Sequence, residues 1–235
     1  SSRRADSIGE SKALMTARLM RAITDDTTIE VYPQGLGPST QERFLAGCDI
    51  VVDEIEFWNI GACIGMHQAA RPHGIPILNG LTVGFASYVH LFESASMPVE
   101  ELLGMSLEEA SALEQRLSRG RASPVERERV MEAVLDAFIP DLPRYFSGPD
   151  GEQRNDFILR RLREEGKAPI LATNPQCAAG FVANRTLLRM LAADARTAPR
   201  SIAVLPPTPG YAVFDAATFD VRIVESRPPP IRGSA

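Results

Sequence analysis

Cysteine is scarce in this sequence, and its placement argues against two classes of protein. The 235 residues include 3 cysteines, Cys48, Cys63 and Cys177, which are too few and too scattered for a disulfide framework. They form no Cys-x-x-Cys pair, which argues against a four-cysteine structural zinc site. We therefore expect reduced thiols, as in cytosolic proteins, and a fold that depends on its own hydrophobic core.

Long hydrophobic runs and an excess of positive charge are also missing. The apolar segments all fall short of the roughly 20 residues that a membrane-spanning helix needs. Acidic residues outnumber basic ones by 30 to 25, which gives a formal net charge of −5. A mildly acidic chain lacks the positive field with which proteins attract nucleic acids or anionic membranes. We expect a cytoplasmic protein with neither kind of partner.

Helical patterns alternate with apolar strand patterns through the first 97 residues. Three segments are predicted to be helices, at 9–24, 40–47 and 59–73. Four segments have strand patterns, at 28–33, 50–52, 75–80 and 84–93. Continuous apolar strands between helices are typical of parallel sheets that are buried on both faces. The sequence therefore predicts an α/β fold with a mostly parallel sheet and helices on both faces.

The rest of the chain divides into three parts. Residues 98–166 are helix-rich, charged and interrupted by prolines, which indicates a helical insertion or cap. Residues 167–226 contain a long helix of small residues, with Asn174 as its expected cap, and then an antiparallel hairpin. This part is predicted to complete the core that residues 1–97 begin. The proline-rich residues 227–235 are predicted to be a disordered tail.

Three carboxylates follow the strand at 50–52, where α/β sheets usually bind ligands. Among them, Asp53 and Glu56 are candidates for contact with a ligand or its Mg²⁺, because carboxylates suit a hard cation between phosphates. Glu54 is expected to be an ordinary solvated side chain. The sequence supplies no complete phosphate-binding glycine loop, since Gly35-Leu36-Gly37 lacks the third glycine.

The spacing of the histidines and cysteines predicts neither a metal site nor a catalytic thiol. His67 and His73 are six residues apart, rather than the four of a helical zinc pair, and we expect ordinary core or surface side chains. Cys63 is expected to pack within a helix of small residues. Cys177 stands at a helix start, which favours thiol reactivity, but no basic residue is adjacent and packing is again expected.

Residues 48–93 resemble the central segment of the ThiF/MoeB/HesA-type adenylyltransferases, bacterial relatives of the ubiquitin-activating enzymes. The shared pattern is an acidic strand end, a helix, Gly-Ile-Pro before a strand, and Gly-Phe before the next strand. Near the start, residues 9–12 read Gly-Glu-Ser-Lys and resemble the family's Gly-x-x-Lys at the head of a helix. The small-residue helix and the final hairpin are similar to the family's C-terminal part. The resemblance implies a Rossmann-like sheet.

The same resemblance implies ATP and Mg²⁺ as cofactors. Lys12 stands where the family's lysine contacts the ATP phosphates. Glu56 stands where the family usually has an aspartate that assists Mg²⁺–ATP and adenylation, so it is the implied catalytic residue and Mg²⁺ ligand. Asp53 is a further candidate for cofactor contact. The family's later arginine is missing, because Gly61 and Ala62 occupy that region.

The function implied by the resemblance is the ATP-dependent activation of a carboxylate, at the C-terminus of a peptide or a small ubiquitin-like carrier, by a homodimer. The longer side chain of Glu56 and the missing arginine favour an alternative, a catalytically degenerate member that binds a peptide or a partner. A nicotinamide- or flavin-linked enzyme is the third hypothesis, and the missing pyrophosphate-binding glycines disfavour it.

The family's glycine loop precedes its Gly-x-x-Lys motif, whereas this sequence begins eight residues before Gly9. We expect one of three explanations: a fragment nicked before Gly9, a companion polypeptide that carries the glycine loop, or a degenerate member without it. The polar, basic start of the chain is typical of a protease-sensitive loop and favours the first explanation.

Overall fold

The computed structural model describes residues 9–146, 173–192 and 202–225, in two units that divide after Ala46. The first unit contains helix α1 (Lys12–Arg21) and the short helix α2 (Gln41–Leu45). The helix predicted within 9–24 is confirmed. The strand predicted at 28–33 is wrong, because a strand needs a hydrogen-bonded neighbour and the described part of this unit offers none.

The second unit is a five-stranded sheet covered by helices. Its strands lie side by side in chain order: β1 (Val51–Asp53), β2 (Ile77–Val83), β3 (Ala86–Phe92), β4 (Tyr211–Asp215) and β5 (Asp220–Val224). Its helices are α3 (Ile60–Ala70), α4 (Val99–Leu103), α5 (Leu107–Ser118), α6 (Pro124–Phe138) and α7 (Asn174–Ala192). These elements confirm the predicted α/β class, the C-terminal hairpin and, as far as residue 146, the helical segment that begins at 98. Residues 147–166 of that segment lie outside the described residues. The tail at 227–235 lies outside the described residues.

The sheet begins parallel and ends antiparallel. β1 and β2 are parallel, and Asp53 pairs with Asn79. The β2–β3, β3–β4 and β4–β5 pairs are antiparallel. The change of direction begins at a tight turn after β2, where Gly84 has a φ of 58°. A glycine in this conformation allows a two-residue hairpin, so β3 returns directly along β2 without the crossover that a parallel neighbour would require.

Helices cover both faces of the sheet, as predicted. β3 is therefore buried along its whole length. On one face, Val89 belongs to an apolar cluster that includes Val182 of α7. On the other face, His90 and Phe92 contact the ring of Phe138 in α6, with centroid distances of 5.5 and 6.4 Å. None of the helices in the described ranges is both long and apolar enough to cross a membrane.

Helix α7 is attached to the sheet at two levels. At its first residue, the buried Asn174 donates hydrogen bonds from Nδ2 to the carbonyl oxygens of Gly84, at 2.7 Å, and Ala86, at 3.3 Å. Further along, a Cβ atom on Gly80 would lie 2.5 Å from Val182 Cγ2. Glycine at this point of β2 therefore allows α7 to approach the sheet closely.

The chain leaves the sheet after β3 and returns to it at β4, and the two flanks of this excursion meet. Thr208 donates its backbone N–H to the carbonyl of Leu91 at 2.8 Å, and Met97 donates its N–H to the carbonyl of Thr208 at 2.7 Å. In the sequence, helices α4 to α7 come between β3 and β4, although these two strands are neighbours in the sheet.

Candidate functional site

Three polar side chains lie buried together at the C-terminal end of β1. Asp53, Cys63 and His67 are each at most 8% exposed. Asp53 Oδ2 is 3.0 Å from His67 Nε2 and 3.5 Å from Cys63 Sγ. Cys63 and His67 are four residues apart on α3, so their side chains lie on the same helix face, which meets the end of β1. We call these three residues the polar cluster.

Hydrogen bonds keep the Asp53 carboxylate ionised despite its burial. Burial raises the pKa of Asp53, but the hydrogen bond with His67 and that from the Ile55 N–H, at 2.9 Å, outweigh it, and the net pKa is lowered. The opposite holds for the thiol of Cys63. Burial, followed by the charge of Asp53, raises its pKa well above the usual value. The polar cluster therefore contains a carboxylate and a protonated thiol near neutral pH.

A cavity of about 30 Å³ borders the polar cluster. Asp53, Cys63 and Asn79 are among the polar residues that line it. Asn79 donates a hydrogen bond from Nδ2 to the carbonyl of Asp53 at 3.3 Å, whereas its buried Oδ1 has no hydrogen-bond partner among the described residues. The apolar part of the lining comes from the loop after β1, from β2 and from helices α3, α4 and α6: Ile55, Phe57, Ile60, Leu81, Leu103, Val134 and Phe138. The volume matches a water molecule or an ion.

Two further carboxylates stand near this end of β1, and they differ in their surroundings. Glu56 is exposed and lines the cavity together with Asp53. The carboxylate of Glu54 instead lies beside Gly80, where an added Cβ atom would be 3.1 Å from Glu54 Oε1. Desolvation and the charge of Asp53 raise the pKa of Glu54 to about 7, although the residue keeps an exposed surface. Glu54 thus differs from the ordinary solvated carboxylate that the sequence predicts.

The structure unites part of the predicted site. Asp53 and Glu56 line one cavity, as expected for residues that follow the same parallel strand. Lys12 is the first residue of α1, is exposed, and belongs to the first unit. Direct contact of Asp53 with a cofactor stays a prediction. Its carboxylate is 1% exposed, and both oxygens already accept hydrogen bonds.

The region where the family's arginine was expected is filled by another helix. A Cβ atom on Gly61 would lie 2.8 Å from the Cα of Ser111 in α5, so no side chain fits at this position. The next residue, Ala62, donates its backbone N–H to Glu114 Oε2 at 3.0 Å. A carboxylate of α5 thus already satisfies one of the free N–H groups in the first turn of α3.

The polar cluster was not predicted as a unit. His67 was compared with His73, and Cys63 was assigned to packing. The available signal was the spacing Cys63-x-x-x-His67, which places both side chains on one face of a predicted helix. That signal alone does not identify Asp53 as their neighbour, because the angle at which α3 crosses the end of β1 depends on packing against α5.

Comparisons with known proteins agree with the fold and identify a family. The family model described as the ThiF family matches residues 3–229. The uncharacterized protein MT1398 of Mycobacterium tuberculosis (strain CDC 1551 / Oshkosh) is 31% identical over 71 residues, which are 30% of this chain and 10% of that protein. A crystal structure of selenomethionine PaaA matches with a TM-score of 0.51 and 12% identity, over 95% of this chain and 58% of PaaA. The chain therefore spans about a tenth of the length of MT1398 and somewhat over half of the length of PaaA.

Proposed function

Because the chain belongs to the ThiF family, within the superfamily of adenylyltransferases related to ubiquitin-activating enzymes, we propose that it takes part in the ATP-dependent activation of a carboxylate. The proposed substrate is the C-terminus of a peptide or a small carrier protein. The observation that carries this proposal is the position of Glu56, which lines a cavity at the C-terminal end of the parallel strand β1. Ligands of α/β sheets bind at such strand ends.

The side chains near this cavity fit a magnesium ion bound to a nucleotide. Glu56 offers an exposed carboxylate, the kind of oxygen ligand that Mg²⁺ takes alongside substrate phosphates. Asp53 lies beneath it, and its hydrogen bonds to Ile55 and His67 fix the loop that carries Glu56. We assign Glu56 to hold the cation and Asp53 to position that loop. Lys12, which belongs to the first unit, is a separate assignment that rests on the family resemblance alone: a point charge on a flexible side chain suits phosphates.

Mg²⁺–ATP, when bound, supplies the AMP group that activates the substrate carboxylate. The protein's own part is then to bind and orient. Ile60 and Leu81 line the same cavity as Glu56, and an apolar lining strengthens the interaction of a carboxylate with a cation. The exposed side of Glu56 leaves room for the nucleotide, which is much larger than the cavity.

We expect the Glu56→Gln variant to bind Mg²⁺–ATP at least about tenfold more weakly than the unaltered protein. This loss corresponds to roughly 1.5–3 kcal/mol for a bond to a charged group. Isothermal titration calorimetry on the full chain, purified with any polypeptide that accompanies it, measures the affinity. Glu101→Gln, an exposed glutamate on α4, is the matched control and should bind as the unaltered protein does. Equal affinities of the two variants would remove Glu56 from the site.

The alternative function is that of a degenerate family member that binds a peptide or partner protein without using ATP. Gly61 and Glu114 favour it, because Gly61 excludes the arginine and Glu114 brings a negative charge to the first turn of α3, where phosphates would otherwise be attracted. The same calorimetric titration separates the two functions. Binding of Mg²⁺–ATP supports the enzyme, and pyrophosphate exchange is then the next assay. Absence of nucleotide binding by the folded protein supports the binding module.

The proposed partners include a second copy of the chain and a companion polypeptide that carries the glycine loop. α7 supports the homodimer, because Leu187 and Met190 on this helix are exposed. Light scattering should give twice the monomer mass, and a strict monomer at micromolar concentration would contradict the dimer. Intact-mass analysis of the same sample detects a companion polypeptide.

A further inference from the structure

We infer that Asp53, Cys63 and His67 form a binding site for one divalent metal ion, with Zn²⁺ as the best match. The inference does not rest on the proposed nucleotide site, although Asp53 and the cavity that it lines with Glu56 are common to both. It rests on the types of the three side chains, the distances among their polar atoms, and an unsatisfied polar atom beside them.

The donor set selects the metal. A thiol sulfur, an imidazole nitrogen and a carboxylate oxygen are the three kinds of ligand that proteins use for zinc. Hard cations such as Mg²⁺ and Ca²⁺ prefer oxygen ligands throughout, so Cys63 and His67 disfavour them. One ligand from the end of β1 and two from one face of α3 would connect the strand and the helix through the ion.

The distances fit three ligands around one ion. The donor atoms of Asp53, Cys63 and His67 all lie within 4.8 Å of one another. Tetrahedral zinc with bonds of about 2.0–2.3 Å separates oxygen and nitrogen ligands by about 3.3 Å, and oxygen and sulfur ligands by about 3.6 Å. The corresponding separations are 3.0 Å between Asp53 Oδ2 and His67 Nε2, and 3.5 Å between Asp53 Oδ2 and Cys63 Sγ. The third separation, between Cys63 Sγ and His67 Nε2, is at most 4.8 Å, so these two side chains of α3 would close on the ion as it binds.

A second observation comes from Asn79. This residue is 5% exposed, lines the cavity together with Asp53 and Cys63, and has a buried Oδ1 without a hydrogen-bond partner among the described residues. Buried amide oxygens in folded proteins are nearly always satisfied. A water molecule in the fourth position on the metal would occupy the cavity and donate a hydrogen bond to Asn79 Oδ1. The unsatisfied atom thus points to an occupant of the cavity beside the three ligands.

Binding must also balance charge and protons. The Cys63 S–H bond is replaced by a sulfur–metal bond, and the proton leaves to solvent. His67 Nε2 must also give up the proton that it shares with Asp53, so that the bound imidazole carries its proton on Nδ1. The ion carries two positive charges, and the thiolate and the Asp53 carboxylate together carry two negative ones. The occupied site is therefore neutral if His67 is a neutral imidazole, which is the form that binds metals. Neutrality favours such a deeply buried position, because an uncompensated charge there would be costly.

The test uses the full-length protein, stripped with a chelator and then incubated with Zn²⁺ alone. After desalting, elemental analysis should give about one zinc per chain for the unaltered protein and for Cys177→Ser, which removes an exposed thiol on α7. Cys63→Ser should weaken binding at least about 100-fold, because losing a ligand should cost no less than losing a hydrogen-bond partner of a ligand, which typically costs about 10–100-fold. Co²⁺ in place of Zn²⁺ should give a sulfur-to-cobalt charge-transfer band that Cys63→Ser abolishes and Cys177→Ser retains.

If Cys63→Ser fails to fold, His67→Gln provides the second variant, and the cobalt band of the unaltered protein still reports the thiolate ligand. Two results would overturn the inference. The first is a folded, unaltered protein that retains no stoichiometric zinc and gives no cobalt–thiolate band; the three side chains would then form only a hydrogen-bond network. The second is a Cys63→Ser variant that retains as much metal as Cys177→Ser does.

Discussion

Replacing His67 by leucine is expected to lower the free energy of unfolding by about 3–5 kcal/mol, the range observed when one partner of a buried pair is removed. Leucine keeps the apolar contact with Phe92, whose ring lies 4.5 Å from that of His67. It removes the nitrogen that lies 3.0 Å from the buried Asp53 carboxylate. The charge of Asp53 then stays buried with fewer partners. Urea unfolding in the presence of EDTA measures this loss without any contribution from bound metal.

The matched control is His73→Leu, an exposed histidine just beyond the end of α3. A surface substitution of this kind should change the free energy of unfolding by no more than about 0.5 kcal/mol. The double variant Asp53→Leu/His67→Leu adds a sharper criterion. Because it removes both polar partners, its loss should be smaller than the sum of the two single losses. Additive losses, or similar losses in His67→Leu and His73→Leu, would contradict a coupled buried pair.

The second large effect is expected at Gly61, a residue of α3 that packs directly against the main chain of α5. Gly61→Ala should lower the free energy of unfolding by about 1–3 kcal/mol, the usual cost of overpacking. The added Cβ would lie 2.8 Å from the Cα of Ser111, and main-chain atoms cannot turn away as a side chain can. The loss is expected even though alanine favours the helical state over glycine by up to about 1 kcal/mol. Thermal unfolding and urea titration both measure it.

Gly180 on α7 provides a control of the same chemical type. It is exposed, and a Cβ atom there would meet nothing within 4 Å. Gly180→Ala should therefore leave stability unchanged or raise it by up to about 1 kcal/mol, as the helix propensities predict. Opposite signs for the two glycines would establish that contact with α5, and not the amino-acid change itself, determines the loss. A stabilised Gly61→Ala variant would refute close packing of α3 on α5.

Local sequence patterns predicted the elements of the sheet well. The apolar run around Ile50 and the segments 75–80 and 84–93 correspond to β1, β2 and β3, and Gly74 ends the helical segment after α3 with a φ of 65°. Each of these features depends on neighbouring residues in the chain. The strand at 28–33 had a suitable composition but no partner strand within the described part of its unit. Pairing is a property of the fold and cannot be read from a single segment.

The candidate site was predicted only in part, for the same reason. Asp53 and Glu56 follow one strand, so their proximity can be inferred from sequence. The link from Asp53 to Cys63 and His67 depends on how α3 lies across the strand end. Asn79 reaches the cavity through the pairing register of β1 with β2. The exclusion of a side chain at Gly61 requires knowledge of α5, a helix about fifty residues further along the chain.

The hydrogen bonds from Thr208 to Leu91 and from Met97 to Thr208 have a consequence for how the sheet tolerates changes in chain length. These bonds hold together the two ends of the segment that connects β3 to β4. The pairing of the two strands therefore requires only that these ends lie close together. The entropy lost in closing a flexible segment grows with the logarithm of its length, and doubling that length adds only about 0.6 kcal/mol. The pairing of β3 with β4 therefore depends only weakly on how many residues lie between them, and an insertion into an exposed loop of this segment should leave the sheet intact.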